Sequence, residues 1–207
     1  CIRDSSYTAV ISNIVCGQTQ AVTTGFDEFV FPLFIKSGSS VAVRVQGSNA
    51  TAGTVRVVAD FYGRPTNPEM VPCGSYSETI GTITNSNGTS ITPGNAAEGS
   101  WTSLGTTAKD LWAWQIGVQV DNGTITAQYT SVDLAYGDAS NKEIILEDVP
   151  VHFYGTAEIK ASPLRGRNIA SENYIRYVPG GSTIYARARC STSPATGYNM
   201  VAIGIGG

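Results

Sequence analysis

The residues that could carry chemistry in this chain are few, and the types needed for catalysis do not occur together. His152 is the only histidine, and it lies in the alternating segment VPVHFYG. Nucleophilic catalysis by a serine or cysteine requires a neighbouring base together with an orienting carboxylate. No serine stands in a Gly-x-Ser-x-Gly elbow, the usual sequence sign of an activated serine. We therefore interpret His152 as a structural strand residue, predict no catalytic residue, and expect that the protein is not an enzyme.

Carboxylates are numerous, but their spacing selects no site. Glycoside hydrolysis needs two carboxylates across a cleft, and nothing singles out a pair among the 16 acidic residues. A polysaccharide depolymerase stays as a third hypothesis. The adjacent pairs Asp27-Glu28 and Glu147-Asp148 lack the alternating acidic pattern of a calcium loop, and neighbouring strand residues point to opposite faces. We predict no metal ion and no cofactor.

The cysteines do not have metal-binding spacing either. No Cys-x-x-Cys pair occurs, although zinc sites usually contain one. Four cysteines allow two disulfides in three connectivities, and both bridges and free thiols stay open; we favour free thiols because the chain is large and apolar enough to fold without bridges. The first residue is cysteine, so we expect a longer translation product, with a processed lipoprotein as the alternative. The four residues are Cys1, Cys16, Cys73 and Cys190.

The candidate binding residues are three tryptophans, Trp101, Trp112 and Trp114, which lie within a stretch of 14 residues. Trp112 and Trp114 share one face if this stretch is an extended strand. An exposed pair of indole rings could stack on sugar rings. Large aromatic side chains also dominate cores and subunit interfaces, and we favour a core or interface role over a ligand platform.

The charge of the chain argues against two classes of partner. The formal net charge is −3, and the 13 lysines and arginines form no basic block. Nucleic-acid binding depends on clustered cations, so we predict no nucleic-acid partner. No apolar run approaches the roughly 18 residues of a membrane span, so we predict no membrane insertion. The composition, rich in serine, threonine, glycine and tyrosine, suits contacts with proteins or sugars.

Period-two alternation is the dominant pattern of the chain. Apolar residues alternate with polar or small ones in the segments 41–46, 55–59 and 116–120, which is typical of strands with one buried face. Turn signals separate such segments, and Asn122-Gly123 predicts a tight hairpin between WQIGVQV and TITAQYT. Helical patterns are nearly absent. The chain is therefore predicted to be all-β, with antiparallel strands in a sandwich or barrel.

Two segments of the chain resemble each other. At an offset of 143 residues, eight of 26 positions are identical between residues 38–63 and 181–206. We interpret this as a repeated β-hairpin, which predicts two tandem β-sandwich units. The polar stretch between them has the composition of a connector or an extended, weakly paired hairpin. The predicted domains are a first unit at 1–73, truncated if the repeat is complete, a connector at 74–100, and a second unit at 101–207.

Three strand–turn phrases, YVPGGSTIYARARCS, IKSGSSVAVRVQGS and DLAYGDASNKEIILED, resemble those of virion accessory proteins of tailed bacteriophages. The resemblance implies jelly-roll or immunoglobulin-like β-sandwiches in tail, fibre, collar or head-decoration components. Such proteins are usually oligomeric and bind neighbouring virion subunits. The resemblance carries no catalytic residue over to this chain.

The expected function is that of a structural protein located in the virion. Its expected partners are other virion subunits, further copies of itself as a homo-oligomer, and a glycan receptor as a further candidate. The alternative is a carbohydrate-binding or adhesin module at the bacterial cell surface, which would need exposed tryptophans. The C-terminal segment Tyr198–Gly206 is expected at a sheet periphery, where it could join a partner by strand addition.

Overall fold

The computed structural model shows an all-β chain, with strands and no helix in the part that it describes. This confirms the prediction of the fold class from the alternating pattern, and most of the sheet pairing is antiparallel. The described residues are 2–3, 9–11, 13–14, 31, 33–45, 57–59, 61, 74–82, 88–120, 129–152, 175–191 and 197–207.

The described strands have two to five residues before residue 111 and eight to eleven from there on, except for Ile175–Val178 with four. In chain order they are β1 (Ile2–Arg3), β2 (Ala9–Ile11), β3 (Ala42–Val43), β4 (Tyr76–Ile80), β5 (Thr89–Ile91), β6 (Gly94–Asn95), β7 (Thr102–Thr106), β8 (Leu111–Val120), β9 (Tyr129–Gly137), β10 (Lys142–His152), β11 (Ile175–Val178), β12 (Thr183–Cys190) and β13 (Tyr198–Gly206).

These strands form three sheets. Sheet I has the order β2-β1-β3. Sheet II has the order β10-β9-β12-β6, and β7 also pairs with β12. Sheet III has the order β11-β8-β13-β4, and β5 also pairs with β13. The pairing of β6 with β12 is parallel, whereas β12 and β9 pair antiparallel over the whole length of β12.

Sheets II and III contribute to the same hydrophobic core. In β12, Ile184, Ala186 and Ala188 are fully buried, while the residues between them are partly or fully exposed, as alternation predicts. The buried cluster takes apolar side chains from every strand from β4 to β13 except β6. Its largest members include Trp114, Tyr198, Leu111 and Ile116. The core of the molecule therefore lies between these two sheets.

Strand β13 is central in sheet III, which corrects the expectation of a peripheral strand. It pairs with β8 on one side and with β4 and β5 on the other. All nine of its residues are buried. The sequence YNMVAIGIG is small and apolar at most positions, and a strand of this composition is covered on both faces. Because both edges of β13 are occupied within the chain, strand addition at this segment is excluded in this fold.

One predicted hairpin is also corrected. In the second repeat segment, β12 and β13 lie in different sheets, II and III, and do not pair with each other. The alternation carries no information on which strand lies beside which. The hairpin predicted at Asn122-Gly123 stays a prediction, because residues 121–128 lie outside the described residues.

The stretch 74–100 takes part in both large sheets. It contains β4 and β5, which pair with β13, and β6, which pairs with β12. The described part of this stretch is therefore paired with both sheets, whereas the sequence predicted a connector or an exposed, weakly paired hairpin. Its alternation is weak because β5 and β6 contain only three and two residues. The division of the chain into domains at 1–73, 74–100 and 101–207 stays a prediction.

The described N-terminal residues join sheet III at one end. The Ser77 hydroxyl of β4 donates to the carbonyl of Val10 at 2.9 Å, and the Phe34 amide donates to the carbonyl of Gly74 at 2.8 Å. Of the two strands predicted here, only Ala42–Val43 forms within 41–45. Residues 57–59 are not in a strand, so that part of the prediction is wrong.

Strand β10 is the outer strand of sheet II among the described residues, where it pairs only with β9. Its register against β9 shifts twice, between Ile144 and Leu146 and between Leu146 and Val149. Asp148 has a positive φ of 50°, and Pro150 lacks an amide donor. Bulges, charges and proline are the features by which natural sheets protect their edges.

Candidate functional site

Trp114, predicted as a candidate binding residue, lies in the core. Its side chain is 2% exposed and belongs to the buried cluster. The indole Nε1 donates a hydrogen bond to the carbonyl of Arg176 at 3.0 Å, so its one polar atom is satisfied inside the fold. Trp112, two residues earlier on β8, is partly buried. The rings of Trp112 and Trp114 therefore do not form an exposed platform for a sugar.

Trp101 lies on a different part of the molecule, directly before β7. Its side chain is partly buried, and the guanidinium of Arg187 lies over its ring at 4.5 Å from the centroid. A cation over an indole face is stabilising, by about 0.5–1 kcal/mol at an exposed site. One face of the Trp101 ring is therefore occupied by a residue of the same chain. The three tryptophans do not converge on one site.

A network of charged side chains surrounds Trp101 on the outer face of sheet II, and we call it the Arg187 cluster. Arg187 Nε lies 2.7 Å from Asp133 Oδ2 and 3.4 Å from Glu98 Oε2. Arg189 Nη1 lies 3.6 Å from Glu98 Oε1, and its Nη2 lies 3.1 Å from Asp148 Oδ1. Two guanidinium groups are thus shared by three carboxylates.

Backbone contacts hold this cluster in place. The Asp148 amide donates to Asp133 Oδ1 at 2.7 Å, and the Ser131 hydroxyl donates to Asp148 Oδ1 at 3.0 Å. Asp133 is almost completely buried, and its two carboxylate oxygens accept from Arg187 and from the Asp148 backbone. A buried carboxylate is tolerated only when it is paired and hydrogen-bonded in this way.

Glu98 is the carboxylate of the cluster whose protonation is favoured. Burial raises the pKa of Glu98, and the negative charge of Asp133 raises it further, while Arg187 and Arg189 oppose the shift. Its two contacts, at 3.4 and 3.6 Å, are longer than the ion pairs of Asp133 and Asp148. Protonation of Glu98 would therefore relieve the excess negative charge of the cluster.

A second, more exposed cluster links the edges of sheets II and III. The Tyr136 hydroxyl donates to Glu143 Oε2 at 2.8 Å, and the Arg176 guanidinium is in contact with the same oxygen. The Tyr136 hydrogen bond, followed by that of Arg176, lowers the pKa of Glu143. Because Arg176 also accepts the Trp114 hydrogen bond through its carbonyl, it connects this surface cluster to the core.

A third feature is a set of exposed apolar side chains at the described residues between 34 and 61, which we call the apolar segment. Large apolar side chains are normally buried in a folded domain, and those of sheets II and III are buried almost throughout. In the apolar segment Val58 is 82% exposed. The exposed residues are Phe34, Val43, Val45, Val57, Val58 and Phe61.

The residues examined for catalysis or metal binding are not brought together by the fold. His152 is the last residue of β10 and pairs with Tyr129. Cys190 is buried, and its Sγ donates to the carbonyl oxygen of Gly94 at 3.2 Å. Cys1, Cys16 and Cys73 lie outside the described residues. In the part of the chain that the structure describes, no three histidine, cysteine or acidic side chains are grouped to hold a metal ion.

The sequence analysis did not identify the Arg187 cluster. Alternation alone places Arg187 and Arg189 on the same outer face of β12. The partners come from three other places in the chain, and only the observed register aligns Asp133 with Arg187 and Ser131 with Arg189. Glu98 reaches the cluster because Gly99 donates to the Ala188 carbonyl at 3.0 Å. Register and loop placement of this kind leave no signal in one sequence.

No protein-family model, no curated protein and no solved structure matches this chain. Across the described ranges there is also no helix of the length and apolarity that a membrane crossing requires.

Proposed function

We propose that this chain is a structural virion protein of a tailed bacteriophage, which assembles with neighbouring subunits and has no catalytic role. The observation that supports an assembly role is the apolar segment. Six large apolar side chains are exposed between residues 34 and 61, while the core between sheets II and III is well filled. Concentrated exposed apolar residues are typical of surfaces that contact another protein.

The finer architecture that we propose is a β-sandwich of the jelly-roll or immunoglobulin-like type, formed by sheets II and III. It is supported by the shared core of the two sheets and by the strands that cross from one sheet to the other. Two sheets that pack face to face form a rigid body. In this proposal the work of the protein is mechanical, since a rigid body of this kind offers a fixed surface to a neighbour.

The placement in a phage particle rests on the resemblance of the strand–turn phrases. One of them, YVPGGSTIYARARCS, covers the end of β11, the turn at Gly181 and strand β12. In a virion the proposed partners are other subunits and further copies of this chain, in the tail, fibre, collar or capsid decoration. A tail, fibre or decoration subunit works without a reactive centre, so we propose no catalytic residue.

A carbohydrate-binding or adhesin module at the bacterial cell surface is the second proposal. The observation that favours it is the partial exposure of Trp101 and Trp112, since a half-exposed indole can stack on a sugar. The occupied face of Trp101 and the burial of Trp114 weigh against a continuous platform.

Two measurements test the proposal. Light scattering of the purified full-length chain should show an oligomer, because an assembly subunit with an exposed apolar segment associates with itself or its neighbours. A strict monomer at high concentration contradicts the assembly role. A glycan array should give no binding, whereas a specific sugar whose binding is lost in Trp101→Ala or Trp112→Ala supports the second proposal instead. Capsid, portal or tail genes beside the coding gene would distinguish a virion protein from other assembly proteins.

A further inference from the structure

Residues 94–101, which we call the clasp segment, lie along one edge of β12. Strand β9 pairs with the whole length of β12 on the other side, and β7 pairs with the first half of the same edge. The clasp segment is held to the second half by main-chain contacts. The Ala96 amide donates to the Cys190 carbonyl at 2.8 Å, and the Gly99 amide donates to the Ala188 carbonyl at 3.0 Å.

The composition of the clasp segment makes it easy to detach. Residues 94–100 read GNAAEGS and contain no large apolar side chain. The residues from Asn95 to Ala97 are exposed, and Ala96 has a φ of 50°, in the left-handed region that disfavours a residue with a Cβ. Surface elements with few buried apolar contacts open locally at a lower free energy than the core does. The clasp segment can therefore leave β12 while the two large sheets stay folded.

The clasp segment also covers a thiol. Cys190 is fully buried, and its Sγ donates to the carbonyl oxygen of Gly94 at 3.2 Å. Detachment of the segment would break this contact together with the hydrogen bonds to the β12 backbone. The reactivity of Cys190 therefore reports whether the segment is closed.

Glu98 is the side chain of the clasp segment that enters the Arg187 cluster. Its carboxylate lies 3.4 Å from Arg187 Nε and 3.6 Å from Arg189 Nη1. Both guanidiniums have nearer partners, Asp133 at 2.7 Å and Asp148 at 3.1 Å. Among the described residues, the cluster thus sets three carboxylates against two guanidiniums, and one negative charge is left over when all five groups are ionised. Glu98 is the carboxylate with the longest ion-pair contacts.

We propose that the clasp segment is a proton-controlled cover, which closes on β12 when Glu98 is protonated and loosens when Glu98 is ionised. Glu98 is the only titratable side chain among residues 94–101. The inference goes beyond the proposed assembly function and does not depend on it.

The charged groups that face Glu98 come from three strands of sheet II. Burial, followed by the negative charge of Asp133 on β9, raises the pKa of Glu98, and Asp148 on β10 adds to the rise. Arg187 and Arg189 on β12 act in the opposite direction. Because the pKa is raised in the closed state, closure gains stability as the pH falls through that pKa, and this gain is lost as the pH rises again.

The experiment is hydrogen exchange of the Ala96 and Gly99 amides in the full chain, measured by NMR over a pH series. Rates are expressed as protection factors, so that the intrinsic effect of pH on exchange cancels. In the wild type both protection factors should rise at least about twofold from about pH 7 to about pH 5. In Glu98→Gln, which imitates the protonated acid, they should exceed the wild-type values at neutral pH and vary little with pH.

Glu143→Gln is the matched control, because it removes the same charge from a carboxylate that contacts Arg176 outside the cluster. Its protection factors should follow those of the wild type. A second measurement is the alkylation rate of Cys190 at neutral pH, followed by mass spectrometry of the tryptic peptide 190–207, which contains no other cysteine. Glu98→Gln should be alkylated at least about twofold more slowly than the wild type.

The direction of the effect separates a proton-controlled cover from an ordinary ion pair. If Glu98 only stabilises the fold through its arginine contacts, Glu98→Gln lowers the two protection factors at neutral pH, and the proposal is wrong. The same holds if the wild type and Glu98→Gln show the same pH dependence, or if Glu143→Gln reproduces the effect. Equal alkylation of Cys190 in the wild type and Glu98→Gln would overturn the covering of the thiol.

Discussion

Residues 38–63 and 181–206 are alike in sequence and begin with the same turn, but they differ in what surrounds them. Val201 is fully buried in the middle of sheet III, whereas its counterpart Val58, the same residue type, is 82% exposed. The local sequence therefore sets the turn and the tendency to extend, while the neighbouring strands set the burial. In a β-fold, the burial of a strand depends on the strands beside it as well as on its own sequence.

The largest expected loss of stability comes from a substitution in β8, the strand that pairs with β13 of the second segment. Trp114 faces Gly204 in the register of β8 and β13, and replacing it with alanine should lower the free energy of unfolding by about 3–5 kcal/mol, because a large cavity remains in the core. Urea unfolding followed by circular dichroism measures this change. Trp101→Ala is the control, and it should cost about 1 kcal/mol. Equal costs for the two variants would contradict the distinction between a core and a surface tryptophan.

The matched valines test the comparison directly. Val201→Ala should lower the free energy of unfolding by about 2 kcal/mol, since two buried methyl groups are lost. Val58→Ala should change it by less than about 0.5 kcal/mol in the monomeric chain, because the side chain is exposed. Unfolding curves recorded at one low protein concentration make the two values comparable. A cost at Val58 as large as that at Val201 would show that the first segment is covered within one chain.

Replacing the glycine of the shared turn should lower the free energy of unfolding by the same amount in both segments. Gly38 and Gly181 have positive φ angles, and a Cβ at either residue would meet no atom within 4 Å. Alanine at either position should therefore cost only the backbone strain, about 1 kcal/mol each. Thermal unfolding of Gly38→Ala and Gly181→Ala measures the two costs. Values that differ by more than the experimental error would mean that the turns are alike in conformation but not in what they stabilise.

The smallest expected effect is the pH dependence of stability that two glutamates produce. Glu98 lies beside Arg187, the counterpart of Arg44, and Glu143 lies beside Arg176. The pKa of Glu98 is raised in the fold, so its contribution to stability is lost as the pH rises through that pKa and regained as the pH falls. The pKa of Glu143 is lowered, so its contribution is present at neutral pH and lost on acidification. As the pH falls from 7 to 4, the free energy of unfolding of Glu98→Gln should therefore decrease relative to that of the wild type. The free energy of unfolding of Glu143→Gln should increase relative to that of the wild type.

Urea unfolding at a series of pH values measures both differences, and each variant is the control for the other. Shifts of the same sign in Glu98→Gln and Glu143→Gln would contradict the opposite environments of the two carboxylates. Parallel curves for the wild type and Glu98→Gln would mean that the Arg187 cluster binds no extra proton.

The sequence predicted that the chain is built of strands, but it did not predict which strands are neighbours in a sheet. Alternation predicted the strand character of β8, and the resemblance between residues 38–63 and 181–206 predicted a strand at β12. The all-β class follows from such segments. The composition of β13 is apolar throughout, but a central and a peripheral strand cannot be separated until its partners are known. Of the strand predicted at 55–59, the described residues 57–59 are not in a strand, which shows that alternation alone does not stabilise a strand.

The candidate site shows the same limit. The tryptophans stood out by their type and spacing, yet Trp114 belongs to the core and Trp101 is covered by Arg187. The residues that converge on one surface, among them Glu98 and Asp133, have no local pattern. They meet through the register of β9 against β12 and through the path of the loop before β7.

The irregular course of β10 has a consequence for how copies of this chain can combine. A strand whose register slips twice and which contains Pro150 offers a poor template for another backbone. Growth of sheet II by stacking further chains along this side is therefore hindered. A contact made on this side of sheet II must therefore be formed by side chains, and not by a backbone ladder shared with another chain.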